Sequence, residues 1–240
     1  MLRNRILICL FLCVLGGAIG GGNAGAEMNS EEDFVMIGLS FGTFQEERWL
    51  RDREFFMNRA AELGAAVNIL FANDDGALQI MQAKQLIDQG ISVLVAVPND
   101  GESFSEVVDY AKQKGVKVIA YDRMIKNCDL DLYISFDNVK VGEMQAQGIL
   151  DVRKSGDFAY IGGSPSDNNA HLVKEGAFHL LQPEIDNGNI RIVLDEFSQD
   201  WNPSEAYRNV KEYLDQNGSV DAIVCANDGT AGGAIKALEE

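Results

Sequence analysis

Short polar clusters interrupt the apolar runs of this sequence, and Arg, Asp, Asn and Trp recur in them. They are Glu47-Arg48-Trp49, Pro98-Asn99-Asp100-Gly101, Asp122-Arg123, the stretch 162–169 carrying Asp167 and Asn169, Asp200-Trp201-Asn202, and Asn227-Asp228. Planar Asp, Asn and Arg side chains can each engage two neighbouring hydroxyl groups, and an indole ring can cover a face of C–H bonds. In such a set Arg48 and Arg123 would donate, Asp122 and Asp167 would accept, Asn169 and Asn227 would do both, and Trp49 and Trp201 would stack. That is chemistry for a neutral polyhydroxyl ligand. Charges can be buried in a site of this kind only if they are paired and hydrogen-bonded, as Asp122 beside Arg123 could be.

Each residue also has an ordinary structural reading. Asp122-Arg123 could be a turn ion pair, Asn227-Asp228 a helix N-cap, and Asp167 the cap of the helix that carries His171. Trp49, at a helix start, could simply pack on a sheet. Caps and turns are frequent at such places, so no single cluster is diagnostic. Their common position, just after predicted strands, is what favours binding.

Those strands belong to an alternation of short apolar runs with amphipathic stretches. Strands are predicted at 35–40, 66–71, 93–97 and 116–121, with helices at 45–63, 77–89 and 104–114, each followed by a glycine. Continuous apolar runs suit parallel strands buried on both faces, and right-handed crossovers make them one doubly wound sheet. A short run at 132–135 closes this first lobe, and Asp137-Asn138 can cap a helix to about residue 151. The pattern then restarts, with strands at 158–161, 190–196 and 222–226 and helices at 170–181 and 204–216. The fold class is therefore α/β, with two Rossmann-like lobes of parallel sheet at 27–136 and 137–240. The second lobe reads as incomplete, since three strands make a thin sheet and residues 230–240 form a helical pattern with no strand after it. Ligands of open α/β sheets lie outside the carboxyl ends of the strands, where the clusters fall. The first strand-to-helix turn, 41–46, has neither a dinucleotide fingerprint nor a phosphate loop.

The N-terminus has the form of an export leader. Arg3 and Arg5 precede an apolar run over 6–19, and Ala24-Gly25-Ala26 supplies a small-x-small cleavage site, so residues 1–26 read as a cleaved signal peptide. The apolar run is shorter than the roughly 20 residues that span a bilayer. Formal charge is −17 for the chain, and 18 basic against 37 acidic residues remain without the leader. This excess disfavours nucleic acid and anionic lipid as partners. Outside the leader the cysteines are Cys128 and Cys225; Cys225 lies in an apolar run that suits an unbridged buried thiol. His171 and His179 share a predicted helix without a metal-ligand spacing, so no metal and no cofactor are expected.

From residue 35 onward the sequence resembles the periplasmic sugar-binding proteins of type I. The strings that carry the resemblance are Glu47-Arg48-Trp49, Ala120 to Met124, Tyr133 to Asn138, Gly162 to Ala170 and Asn227 to Ala234. The Asp-Asn-Asn and Arg-Trp elements point to the xylose branch of that family over the ribose branch. The resemblance implies two lobes joined by crossing segments, the first near Phe136-Asp137. It implies that Arg48, Asp122, Arg123, Asp167, Asn169 and Asn227 bond a monosaccharide, D-xylose foremost, while Trp49 and Trp201 sandwich its ring. It further implies a monomeric periplasmic or extracellular protein, not integral to a membrane, that closes on its sugar and delivers it to an ABC transporter permease. In complete relatives the chain runs past the equivalent of Glu240 and supplies an aspartate and a lysine to the site. The small departure here is Gly229. Alternatives are a sugar sensor coupled to a membrane kinase or chemoreceptor, and a secreted glycosidase with Asp122 and Asp167 as acid and base. A sugar-responsive repressor would need a DNA-binding headpiece where the leader stands.

Overall fold

The computed structural model describes residues 35–240, so the leader expected at 1–26 lies outside the described residues. Five strands form the first sheet: β1 (Met36–Phe41), β2 (Ala66–Phe71), β3 (Val93–Val97), β4 (Lys117–Tyr121) and β5 (Leu132–Ile134). All pair in parallel, in the order β2-β1-β3-β4-β5. Between them run the helices α1 (Arg48–Glu62), α2 (Gly76–Asp88) and α3 (Ser105–Lys114). Alternate strand residues feed two cores on opposite faces. Leu94, Ala96, Val118 and Ala120 pack with Ala83, Leu86, Val107 and Ala111 of α2 and α3. On the other face, Leu39, Phe41, Val95 and Val97 pack with Trp49 of α1. Each fully buried Leu, Val or Phe side chain contributes about 1.5–3 kcal/mol.

The chain then leaves this sheet and builds a second. Its elements are α4 (Asn138–Val152), β6 (Gly156–Gly162), α5 (Asn168–Asp186), β7 (Ile190–Phe197), α6 (Pro203–Asn217), β8 (Ala222–Cys225) and α7 (Asp228–Leu238), with a short 3-10 turn at Gln199–Trp201. The sheet is parallel in the order β7-β6-β8. Helices α4 and α5 approach closely because glycines face each other's backbone. A Cβ on Gly142 would lie 1.9 Å from the Val173 carbonyl oxygen, and one on Gly176 would lie 1.9 Å from that of Val139. The outer edge of β8 runs along an apolar groove between α4 and α7, lined by Ile149, Val224, Ile235 and Leu238.

Predicted and observed elements agree in type and order, with shifted ends. Helix α5 continues past residue 181 to Asp186, through Pro183. Proline removes one backbone donor, but a single further turn tolerates that loss. Helix α1 begins at Arg48 instead of Gln45, because residues ahead of it form a turn in which the Trp49 amide donates to the Glu46 carbonyl. The crossovers change direction at β1, the second strand across the first sheet, and at β6, the middle strand of the second. These switch points are where an open α/β sheet leaves a crevice.

Candidate functional site

The loops after β1, β4 and β6 converge between the two sheets. Asp122 and Arg123 follow β4, and Asp122 takes a left-handed backbone conformation (φ 64°). That bend is held by hydrogen bonds. The Asp122 amide donates to the Ile134 carbonyl at 2.7 Å. The Asp122 carbonyl accepts from Ser135 Oγ at 2.8 Å, Tyr133 OH at 3.1 Å and Asn169 Nδ2 at 3.1 Å.

The ion pairing differs from the neighbour pair expected from Asp122-Arg123. Asp122 Oδ1 instead accepts from Arg48 Nη2 at 2.5 Å. Arg123 Nε lies 3.1 Å from Asp167 Oδ2, reaching the second half of the molecule, and its Nη2 lies 3.4 Å from Glu46 Oε1. Adjacent residues at a strand end point to different sides, so each finds a partner distant in sequence. The Arg123 and Asp167 side chains are only 6% and 3% exposed, which leaves their pairing little screened by solvent. The Arg48 side chain is 41% exposed, so its pair with Asp122 contributes less.

Trp49 takes the packing role considered for it. Its ring is buried against Phe41, centroids 6.0 Å apart, while the Arg48 guanidinium sits 4.1 Å from its centroid and that of Arg123 5.7 Å. Its indole N–H donates to Glu46 Oε2. Glu46 is a residue that the sequence reading passed over, although its spacing of three from Trp49 was available as a signal. Burial pushes its carboxyl up from the ordinary glutamate value, with Arg123, the indole N–H and Arg48 opposing in part.

On the other side, the cap reading of Asp167 holds. Asp167 caps α5, with Oδ1 accepting from the Asn169 amide at 2.9 Å. Its Oδ2 accepts from Trp201 Nε1 at 3.1 Å as well as facing Arg123. Trp201 lies flat over the Gly163 backbone, where an added Cβ would come within 2.3 Å of the ring. Asn169 bridges the halves: its Nδ2 reaches Asp122 Oδ2 at 3.2 Å, and its Oδ1 accepts from Asn138 Nδ2 at 3.0 Å. Tyr133 on β5, Ser135 and Asn138 also join this network; the sequence offered them only within the string 133–138, not as site residues.

Asn227 is the N-cap of α7 in a reciprocal capping box with Thr230. Among the described residues no hydrogen bond ties it to the Arg123–Asp167 group. Both histidines are exposed: His171 Nε2 pairs with the Pro165 carbonyl at 2.8 Å, and His179 lies 3.6 Å from Glu143. Cys128 and Cys225 are unbridged, and burial pushes the Cys225 thiol up to about 12. Among the described residues no cluster of His, Cys, Asp or Glu could hold a metal ion, and no helix is long and apolar enough to cross a membrane.

A paired set of buried planar polar groups, flanked by two indoles, thus joins the loops between the two parallel sheets. A periplasmic binding protein domain model matches residues 37–240. The chain belongs to that family. Other members of the family are similar over long stretches. The D-xylose-binding periplasmic protein of Haemophilus influenzae is 46% identical over 205 residues, and that of Escherichia coli 44% over the same length. Each alignment covers 85% of this chain and 62% of the relative, so the chain spans somewhat under two thirds of their length. Among solved structures, an ABC transporter solute binding protein from Clostridium phytofermentans with bound β-D-glucose superposes with a TM-score of 0.79. It is 30% identical, with 85% of this chain and 68% of that one covered. The fold is the type I periplasmic binding protein fold, and the family is one of substrate-binding proteins.

Proposed function

We propose that this chain captures a monosaccharide, D-xylose foremost, in the crevice between two lobes divided at residues 136 and 137. In this reading residues 1–26 are an export leader, the protein works in the periplasm, and the loaded form docks as a monomer on an ABC transporter permease. The observation that carries it is the double bridge across the crevice, Arg123 to Asp167 and Asn169 to Asp122, formed by residues of the types a sugar's hydroxyls require. The similarity to D-xylose-binding periplasmic proteins supports the choice of sugar.

Arg48 and Arg123 would donate to hydroxyls, Asp122 and Asp167 accept, Asn169 and Asn227 do both, and Trp49 and Trp201 cover the ring faces. Ligand contacts to both lobes would favour the closed arrangement, since a ligand shifts an equilibrium only by its differential affinity for the two states. Asp122 and Asp167 are committed to guanidinium and N–H donors, an arrangement for binding without catalysis.

The test is calorimetric titration of the chain with D-xylose, D-glucose and D-ribose, with Trp201→Phe as the informative variant. D-Xylose should bind most tightly. The variant keeps a ring over Gly163 but loses the indole donor to Asp167, and should bind about tenfold more weakly, as one lost hydrogen bond implies. An unchanged affinity would remove Trp201 from the site.

A further inference from the structure

Glu46 stands in the loop between β1 and α1, with its side chain 19% exposed, and holds two site residues at once. One carboxylate oxygen accepts the Trp49 indole N–H, and the other faces the Arg123 guanidinium at 3.4 Å. The charged groups turned toward it are Arg48 from its own side, Arg123 after β4, and Asp167 ahead of α5. Arg123 is thus gripped from two directions, by Glu46 from the first sheet and by Asp167 from the second. Only the first grip survives if the halves separate.

Resting on the sugar-binding reading, we propose that Glu46 is a positioning residue that keeps Trp49 and Arg123 in their binding geometry while the cleft is open. Affinity depends on such preorganisation, because side chains ordered before the ligand arrives need not be ordered by it. The carboxylate is retained against its own solvation. Since burial raises its pKa, the folded protein holds this proton more tightly than the unfolded chain, and the stability contributed falls as pH rises from 4.5 through the folded value. A residue kept only for stability would be better as an uncharged amide.

The experiment compares the chain with Glu46→Gln and Glu46→Leu, measuring D-xylose affinity against pH alongside thermal stability. The unmodified chain should lose affinity on acidification as Glu46 takes up a proton and releases Arg123. Glu46→Gln should lack that acid limb, bind about tenfold more weakly at neutral pH, and melt no lower. Glu46→Leu, which also removes the indole acceptor, should bind more weakly still. An unaltered acid limb in Glu46→Gln, or an affinity loss that only tracks a fall in melting temperature, would overturn the proposal.

A sugar-independent reading comes from Trp201→Phe, which leaves Trp49 as the single tryptophan. Its emission should titrate with acid when Glu46 is present and stay flat in the Glu46→Gln combination. A flat emission with Glu46 in place also overturns the proposal. Failure of the chain to bind any monosaccharide, with the emission titration intact, would remove the sugar reading and leave the Glu46–Trp49 coupling standing.

Discussion

The two sides of the crevice hold their polar side chains by different means. On the first side, Arg48, Asp122, Arg123 and Glu46 are fixed by ion pairs between loops far apart in sequence. On the second, Asp167 and Asn227 are helix caps, and Asn202 beside Trp201 caps α6. A cap residue already carries a share of the fold's stability, whereas a paired residue on a loop mainly carries geometry. Substitutions on the second side should therefore cost folding and binding together, and those on the first side should cost binding with little unfolding.

Asp167→Ala puts the most at stake, since it removes a cap, the indole acceptor and the buried partner of Arg123. It should lower stability by about 3 kcal/mol and affinity by roughly a hundredfold or more, read by denaturant unfolding and calorimetry. Asn227→Ala comes next, with about 1 kcal/mol of stability lost along with the α7 cap. Asn227→Asp sharpens the case: it keeps the cap, so any affinity it loses belongs to the proposed contact of the amide with the sugar. Smallest is Arg48→Lys, at a part-exposed pair, where stability should shift by about 0.5 kcal/mol or less while affinity falls several-fold through loss of the planar fork. If Arg48→Lys unfolded the protein as readily as Asp167→Ala, the division between the two sides would fail.

The same division explains what could be read from the sequence. Strand and helix types were legible because each apolar run must be buried on both faces, and cap residues announce themselves locally: Asp167 and Asn227 sit where capping chemistry places them. The position of the polar cluster was legible for the same reason, since it lies at strand ends. The pairing was not. Arg48 with Asp122 and Arg123 with Asp167 are separated by 74 and 44 residues, and only the folded crossovers bring them together, so adjacency in sequence suggested the wrong partner for Asp122. Glu46 escaped because its function lies in two neighbours, one of them distant. Helix α5 outruns the expected end at 181 because Pro183 removes one backbone donor without ending the helix.

The left-handed backbone at Asp122 has a consequence for how this site can diversify. Beyond glycine, asparagine and aspartate are the residue types that adopt such a conformation most readily. Of these three, only two carry an oxygen that can receive a hydroxyl proton. The backbone has filtered the alphabet at this position before any ligand is considered, so if the proposed site diversified, its variation would fall at Arg48 or Asn169 while Asp122 stayed within a choice of charge or no charge.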